Sequence, residues 1–320
     1  MPNRPTTSIA SDPGTGIDYW VERIRDRDMP IFGATARMID RVIESESASA
    51  AVLSKVILRD AGMAARVLAL ANSAYFSLGH QGVATVSRAI LMLGFDAVRA
   101  AALSVALIDA LATGGVRARV HAEMARAFHA AVQARQISAW RGDGGVEEVF
   151  IGALLAQIGT IAFWCYSGDL GVRLDQALRA DADAGEEVEE RVLGFRLRHL
   201  TAVLAREWQL TPMVSLVAQG AVSRRSREFA VMLGHRLALA TARGWHHATM
   251  VQVVGEISEY CGRTPEDLYA RLEENARAAA EVARSYGALA AADLIAQCAP
   301  AADEHTFAQL ASEPIEASGR

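Results

Sequence analysis

Lysine is almost missing from this 320-residue chain: of its 32 basic residues only Lys55 is a lysine, and the other 31 are arginines. So one-sided a choice reads as coding bias, and the arginines are no evidence of an Arg-specific function. Cysteine is scarce as well. Cys165, Cys261 and Cys298 lie far apart, form no CxxC pair and are odd in number, which excludes a disulfide framework and a cysteine-held zinc and fits a reducing cytoplasm. Aromatic residues are 6% of the chain and prolines number 8, while alanine abounds within a 52% hydrophobic composition. That balance suits closely packed helices better than a sheet core of β-branched and aromatic residues, and no hairpin signal or strand-spaced repeat occurs. Positive charge is not in excess. A net charge of −5 provides no global field for nucleic acid or an anionic membrane. Residues 1–16 contain no apolar stretch of signal-peptide length and read as part of a flexible tail.

What is present is a succession of short amphipathic helices in an all-α chain. Val52, Leu53, Val56 and Ile57 form one apolar stripe; Asp60 offers a cap for the next helix, whose far end falls at Asn72 and Ser73. Thr85 opens another, ended by Gly94, and Asp96 is placed to cap the one after it, up to a break at Gly114 and Gly115. A helix near Val120 to Trp140 leads through Gly142-Asp143-Gly144-Gly145 to Val149–Gly168, which carries no charged residue over 20 positions, the nominal length of a membrane span. Gly152, Gln157, Gly159, Thr160 and Ser167 interrupt that run and no basic cluster flanks it, so it reads as a buried helix or helix pair. Acidic residues from Asp181 to Glu190 suit the start of a solvated helix, and Thr264-Pro265-Glu266-Asp267 is a strong start signal near the end. The polar stretch Ser223 to Arg227 suggests a boundary. The expected organisation is a tail at 1–17, a helical domain at 18–224, a smaller helical region at 225–299 and a second tail at 300–320.

Catalytic motifs are lacking. The eight histidines at 80, 121, 129, 199, 235, 246, 247 and 305 form no HExxH or His-Asp doublet, and His129 reads as a core histidine bonded to its surroundings. No GxSxG elbow, cysteine-histidine pair or phosphate-cradling glycine loop is present. Arg224, Arg225 and Arg227 could touch phosphate, but in an acidic chain they read as a solvated helix end.

Four blocks carry a resemblance. Asp60-Ala-Gly-Met-Ala-Ala-Arg-Val-Leu-Ala-Leu-Ala-Asn-Ser-Ala-Tyr-Phe76, then Ser87-Arg-Ala-Ile-Leu-Met-Leu-Gly94, then Phe150-Ile-Gly-Ala-Leu-Leu-Ala-Gln-Ile-Gly159, and finally Glu190 to Trp208 resemble the successive signatures of HDOD domains, over roughly Asp28 to Val222. The third block is similar to the helix that reads Gly-Leu-Leu-His-Asp-Ile-Gly in the metal-dependent HD phosphohydrolase relatives. There this chain has Ala156 and Gln157; it has Leu197 where a later histidine is usual, and His129 stands alone at the position of the first ligand. Alanine cannot ligate and a glutamine amide is a poor substitute for a bridging carboxylate, so the resemblance implies a lost metal site, no cofactor and no enzyme activity.

The function implied by the resemblance is that of a bacterial signalling scaffold or output module. It would act on other signalling proteins in trans, such as sensor kinases or cyclic-dinucleotide enzymes, with homo-oligomerisation open and no membrane or nucleic-acid partner. The alternatives are a phosphohydrolase with an atypical site around His129 and a nucleic-acid-associated regulator using the three arginines. Asn72, Ser73, Tyr75 and Phe76 are the candidate interaction residues. Asn72 and Ser73 also suit a purely structural helix end, whereas Tyr75 and Phe76 beside polar groups would suit an interface anchor.

Overall fold

Several helices begin where a side chain can cap them. The computed structural model describes residues 16–26, 39, 41–43, 45, 49–58, 61–72, 83–98, 116–181, 184–207 and 210–299, and the regular structure among them is α-helical throughout. Residues 1–15 of the first expected tail and all of the second lie outside the described residues. After α1 (Ile17–Asp26) come three short helices, α2 (Ala50–Ile57), α3 (Ala61–Asn72) and α4 (Val86–Leu93). Ser49 and Thr85 are extended N-caps whose hydroxyls accept from the Val52 and Arg88 N–H groups. Leu53, Val56 and Ile57 of α2 and Val86, Ala89, Ile90 and Leu93 of α4 are buried, and the two helices pack together. The start expected at Asp96 falls earlier: Phe95 is already helical, and the Val98 N–H reaches the Gly94 carbonyl (3.3 Å).

The long helix α5 (Arg117–Arg141) is the element around which the rest of the chain packs. It has 25 residues, about 37 Å at 1.5 Å per residue, and is buried along both flanks: Val120, Met124, Phe128, Ala131, Ala134 and Ile137 are all inside. Such a helix needs cover on several sides. It gets it from α6 (Val146–Leu155) and α7 (Ile158–Tyr166) on one side, while α8 (Gly168–Ala180), α9 (Gly185–Leu193), α10 (Leu197–Glu207) and α11 (Pro212–Gln219) build outward. On the other side lie α12 (Glu228–Thr241), α13 (Ala248–Cys261), α14 (Pro265–Ser285) and α15 (Leu289–Cys298). Thr264 caps α14, its hydroxyl accepting from the Asp267 N–H (3.4 Å), with Pro265 at the first position. One continuous apolar core includes side chains from both sides of residue 225.

Small residues set the closest approaches. A Cβ on Gly234 of α12 would stand 2.5 Å from the Ala130 carbonyl oxygen and 3.0 Å from the Ala134 nitrogen, so α12 lies almost backbone to backbone on α5. A Cβ on Gly159 of α7 would meet the Thr201 nitrogen at 2.4 Å, and the Gly159 N–H donates to the Thr201 hydroxyl (3.2 Å), which fastens α7 to α10. The uncharged run is a pair of buried helices, α6 and α7, meeting at Ala156 and Gln157. Val146–Tyr166, the stretch these two helices span, is long and apolar enough to cross a membrane, with a mean hydropathy of 1.8 over 18 of its residues, yet 89% of those residues are buried inside the fold.

Candidate functional site

His129 sits at the centre of α5 with 4% of its surface exposed, inside a chain of polar groups that joins three helices. The Gln133 side-chain nitrogen lies 2.8 Å from the Leu272 carbonyl and 3.0 Å from His129 Nε2, and Asn275 Nδ2 donates to Gln133 Oε1 (3.1 Å). The Leu272 carbonyl can only accept, so Gln133 turns its NH2 towards both partners. His129 Nε2 is therefore an acceptor, and its proton is on Nδ1, directed at the Thr241 hydroxyl (3.4 Å), which in turn donates to the Ala238 carbonyl (3.0 Å). Every member is satisfied by a neighbour. Burial pushes the imidazole pKa down to about 4, so the ring is neutral at physiological pH.

The hydrogen bonds of His129 run to Gln133 on α5 and Thr241 on α12, Gln133 carries the network on to α14, and none of these bonds reaches Ala156, Gln157 or Leu197. Between α5, α6 and α7 the lining is apolar, supplied by Met124, Phe128, Leu154, Leu155, Ile158 and Ile161. Ala156 is buried; Gln157 accepts from the Thr160 hydroxyl (3.1 Å); Leu197 is buried and gives its N–H to Glu189 (2.9 Å). Among the described residues no three His, Cys, Asp or Glu side chains converge as a metal would require. With the Nε2 lone pair committed to Gln133 and an alanine, an amide and a leucine at the other positions, the residues present do not fit a dinuclear metal centre.

A second histidine, His235, reaches this region, and sequence reasoning does not single it out. Its Nε2–H donates to the Ala153 carbonyl (2.8 Å) near the end of α6, and burial lowers its pKa to about 4 despite that bond, with Arg126 adding to the shift. No sequence signal marks it, because its partner is one backbone oxygen 82 positions earlier.

Of the four candidate interaction residues, Ser73, Tyr75 and Phe76 lie outside the described residues. Asn72 is the last residue of α3, and its amide brackets Val83: Oδ1 accepts the Val83 N–H (2.6 Å), and Nδ2 donates to the Val83 carbonyl (2.8 Å) and to Leu68 O (3.0 Å). One side chain thus closes the connection from α3 to the start of α4.

Known proteins share this helical arrangement. Residues 29–220 match the HDOD domain family, more than half of the chain. The chain belongs to the HDOD family. No curated protein matches it. Among solved structures, an HDOD domain protein of unknown function from Geobacter sulfurreducens is 17% identical, with a TM-score of 0.56 over 84% of this chain and 99% of that one. A protein of Shewanella amazonensis SB2B, named as a candidate phosphohydrolase, is 19% identical with a TM-score of 0.59 over 88% and 98%. A candidate signal transduction protein of Marinobacter aquaeolei VT8 is 18% identical with a TM-score of 0.52 over 86% and 67%. At these identities the likeness is one of fold.

In this HDOD chain the Asn72 bracket has a measurable weight. Asn72→Ala leaves the amide and carbonyl of the buried Val83 without their partner, and the expected loss is about 1–3 kcal/mol by chemical denaturation. A loss below about 0.5 kcal/mol, the lower end of a net hydrogen bond, would mean that water replaces the amide without cost.

The arginines at 224, 225 and 227 give no observation favouring nucleic acid. Arg227 pairs with Glu148 (2.7 Å), and Arg224 lies 3.8 Å from Glu259 and over the Phe229 ring. Their loop is strapped to the end of α5, where Arg141 donates to the Arg225 carbonyl (2.7 Å) and lies over the Tyr260 ring, 4.4 Å from its centroid.

Proposed function

We propose that this HDOD chain is a non-catalytic signal-transduction module of the cytoplasm that binds other signalling proteins in trans. Sensor kinases and cyclic-dinucleotide enzymes are the partner class implied by the family resemblance. The observation carrying this reading is the state of His129: both ring nitrogens are used within the fold, the ring is held neutral, and Ala156, Gln157 and Leu197 supply neither imidazole nor carboxylate to complete a ligand set. Metal-assisted phosphate hydrolysis depends on such a set to hold the ions and lower the pKa of bound water. The donor chemistry here favours a scaffold over a hydrolase.

The test is metal loading of the full chain after chelator treatment, followed by assay of phosphodiester hydrolysis. The expected result is no stoichiometric iron or manganese and no metal-dependent turnover; one or more tightly held ions per chain with turnover would overturn the non-catalytic reading. Affinity purification from native cells tests the other half. A signalling protein is expected to co-purify, and repeated recovery of the chain alone would remove the scaffold.

A further inference from the structure

Single exposed apolar side chains are ordinary on a folded protein, whereas a group of them on one surface marks a place where something docks. Among the described residues Val172, Leu216, Leu239, Val251 and Leu289 stand one to a helix, on α8, α11, α12, α13 and α15. The packed pair α2 and α4 is different: Leu91 is 76% exposed, Leu58 at the end of α2 62% and Val52 40%. Val52, Lys55 and Leu58 follow one another at three-residue spacing, as do Thr85, Arg88 and Leu91, so each helix turns one stripe outwards while its other side is in the core. Met92 and Phe95, both half-buried, extend the apolar edge.

These stripes carry charge of one sign. Lys55 and Arg88 are exposed on them, and neither helix contains Asp or Glu; the exposed Asp96 comes only after the turn at Gly94. Other surface arginines are answered: Arg196 by Glu186 and Glu190, Arg227 by Glu148, Arg271 by Asp267. Lys55 and Arg88 have no ion-pair partner among the described residues. A face both apolar and cationic is complementary to an apolar, anionic segment.

The chain itself supplies such a segment. Residues 300–319 hold four carboxylates, Asp303, Glu304, Glu313 and Glu316, and no lysine or arginine, with Phe307, Leu310 and Ile315 set among them. They follow α15, whose end is fixed where the Trp245 indole N–H donates to the Cys298 carbonyl. From there the route to the face is short: α15 packs on α14, α14 on α3, and α3 on α4. Three such steps, at 8–10 Å between packed axes, come to about 24–30 Å. The eight residues from Ala299 to Phe307 span about 26–29 Å when extended, and a linker that matches its span keeps the effective concentration of the tethered segment high. We propose that the outer face of α2 and α4 is a docking surface for the chain's own residues 307–316, with Phe307, Leu310 and Ile315 covering Leu58 and Leu91, and Glu313 and Glu316 meeting Lys55 and Arg88. The docked segment withholds this face from other apolar surfaces, whether or not the chain binds signalling proteins in trans.

The measurement is amide exchange over residues 307–316 in the purified full chain, against a free peptide of the same sequence. Exchange about tenfold slower than in the peptide is expected, by the same factor at protein concentrations a hundredfold apart. Leu91→Asp should return the segment to the peptide's rate with the melting temperature unchanged, because Leu91 lies at the surface. Lys55→Glu with Arg88→Glu should do the same, and adding Glu313→Lys and Glu316→Lys to that pair should restore the slow exchange, a rescue that general unfolding could not produce. Exchange at the peptide's rate in the unaltered chain would overturn the proposal. Slow exchange that survives both Leu91→Asp and the charge reversal would place the segment elsewhere and overturn it equally, and protection that rises with protein concentration would assign the face to a second copy instead.

Discussion

Gly159→Ala is expected to destabilise the chain by about 3 kcal/mol, at the upper end of the cost of overpacking a core, and to lower its melting temperature by roughly 5 °C. The reason is what the added methyl meets. Its nearest neighbours are the Thr201 nitrogen at 2.4 Å, the Thr201 Cα at 2.6 Å and the Leu200 carbonyl carbon at 2.8 Å, all backbone of α10, so no rotamer change can make room. The helices must separate, and the bond from the Gly159 N–H to the Thr201 hydroxyl stretches with them. Gly152→Ala is the internal control, since its methyl would meet chiefly the flexible Met213 side chain. Equal melting temperatures for the two variants would show that α7 and α10 are less tightly joined than these contacts require.

Leu155→Asp should be more damaging still, by about 5 kcal/mol or more, the range reserved for a buried unpaired charge added to the loss of a core leucine. Leu155 is 3% exposed and lines the apolar space between α5, α6 and α7, whose lining supplies no cation to pair with it. The variant should be recovered mainly as aggregate, or folded only at low temperature. A folded, soluble variant with an unchanged melting temperature would place this side chain at the surface.

Much of the fold was legible because it rests on local chemistry. Thr85 and Thr264 mark helix starts through their own hydroxyls, and each accepts from an amide three residues on, as the spacing predicts. The uncharged run from Val149 reads as a buried pair because glycines and a glutamine interrupt it, and Gln157 does fall where α6 gives way to α7. What escaped the sequence depends on partners far along the chain. His129 reads as a satisfied core histidine, yet of its network only Gln133 is close in sequence; Thr241, Leu272 and Asn275 are brought in by the packing of α12 and α14. The acidic stretch before Leu193 reads as the start of its own helix, and Glu186 and Glu187 do lie there. Glu189 and Glu190 instead reach over Gly194 to the next helix, which needs a turn geometry that composition does not encode. Asn72 reads as a helix end; that it grips Val83, 11 residues ahead, depends on where α4 starts.

The placement of α5 bears on how the chain emerges from a ribosome. Its first neighbours, α6 and α7, arrive almost at once, but the faces of Ala130 and Ala134 lie bare until α12 is made, and that of Gln133 until α14. At synthesis rates of about 5–20 residues per second, the later partners arrive on the order of ten seconds after α5 itself. During that interval the central helix is half covered, with Gln133 and His129 wet and an apolar flank open to chaperones or to other nascent chains. The alanines and the single polar row on that flank make the waiting surface less adhesive than a stripe of leucines would be, while still allowing the backbone-close seating that Gly234 completes.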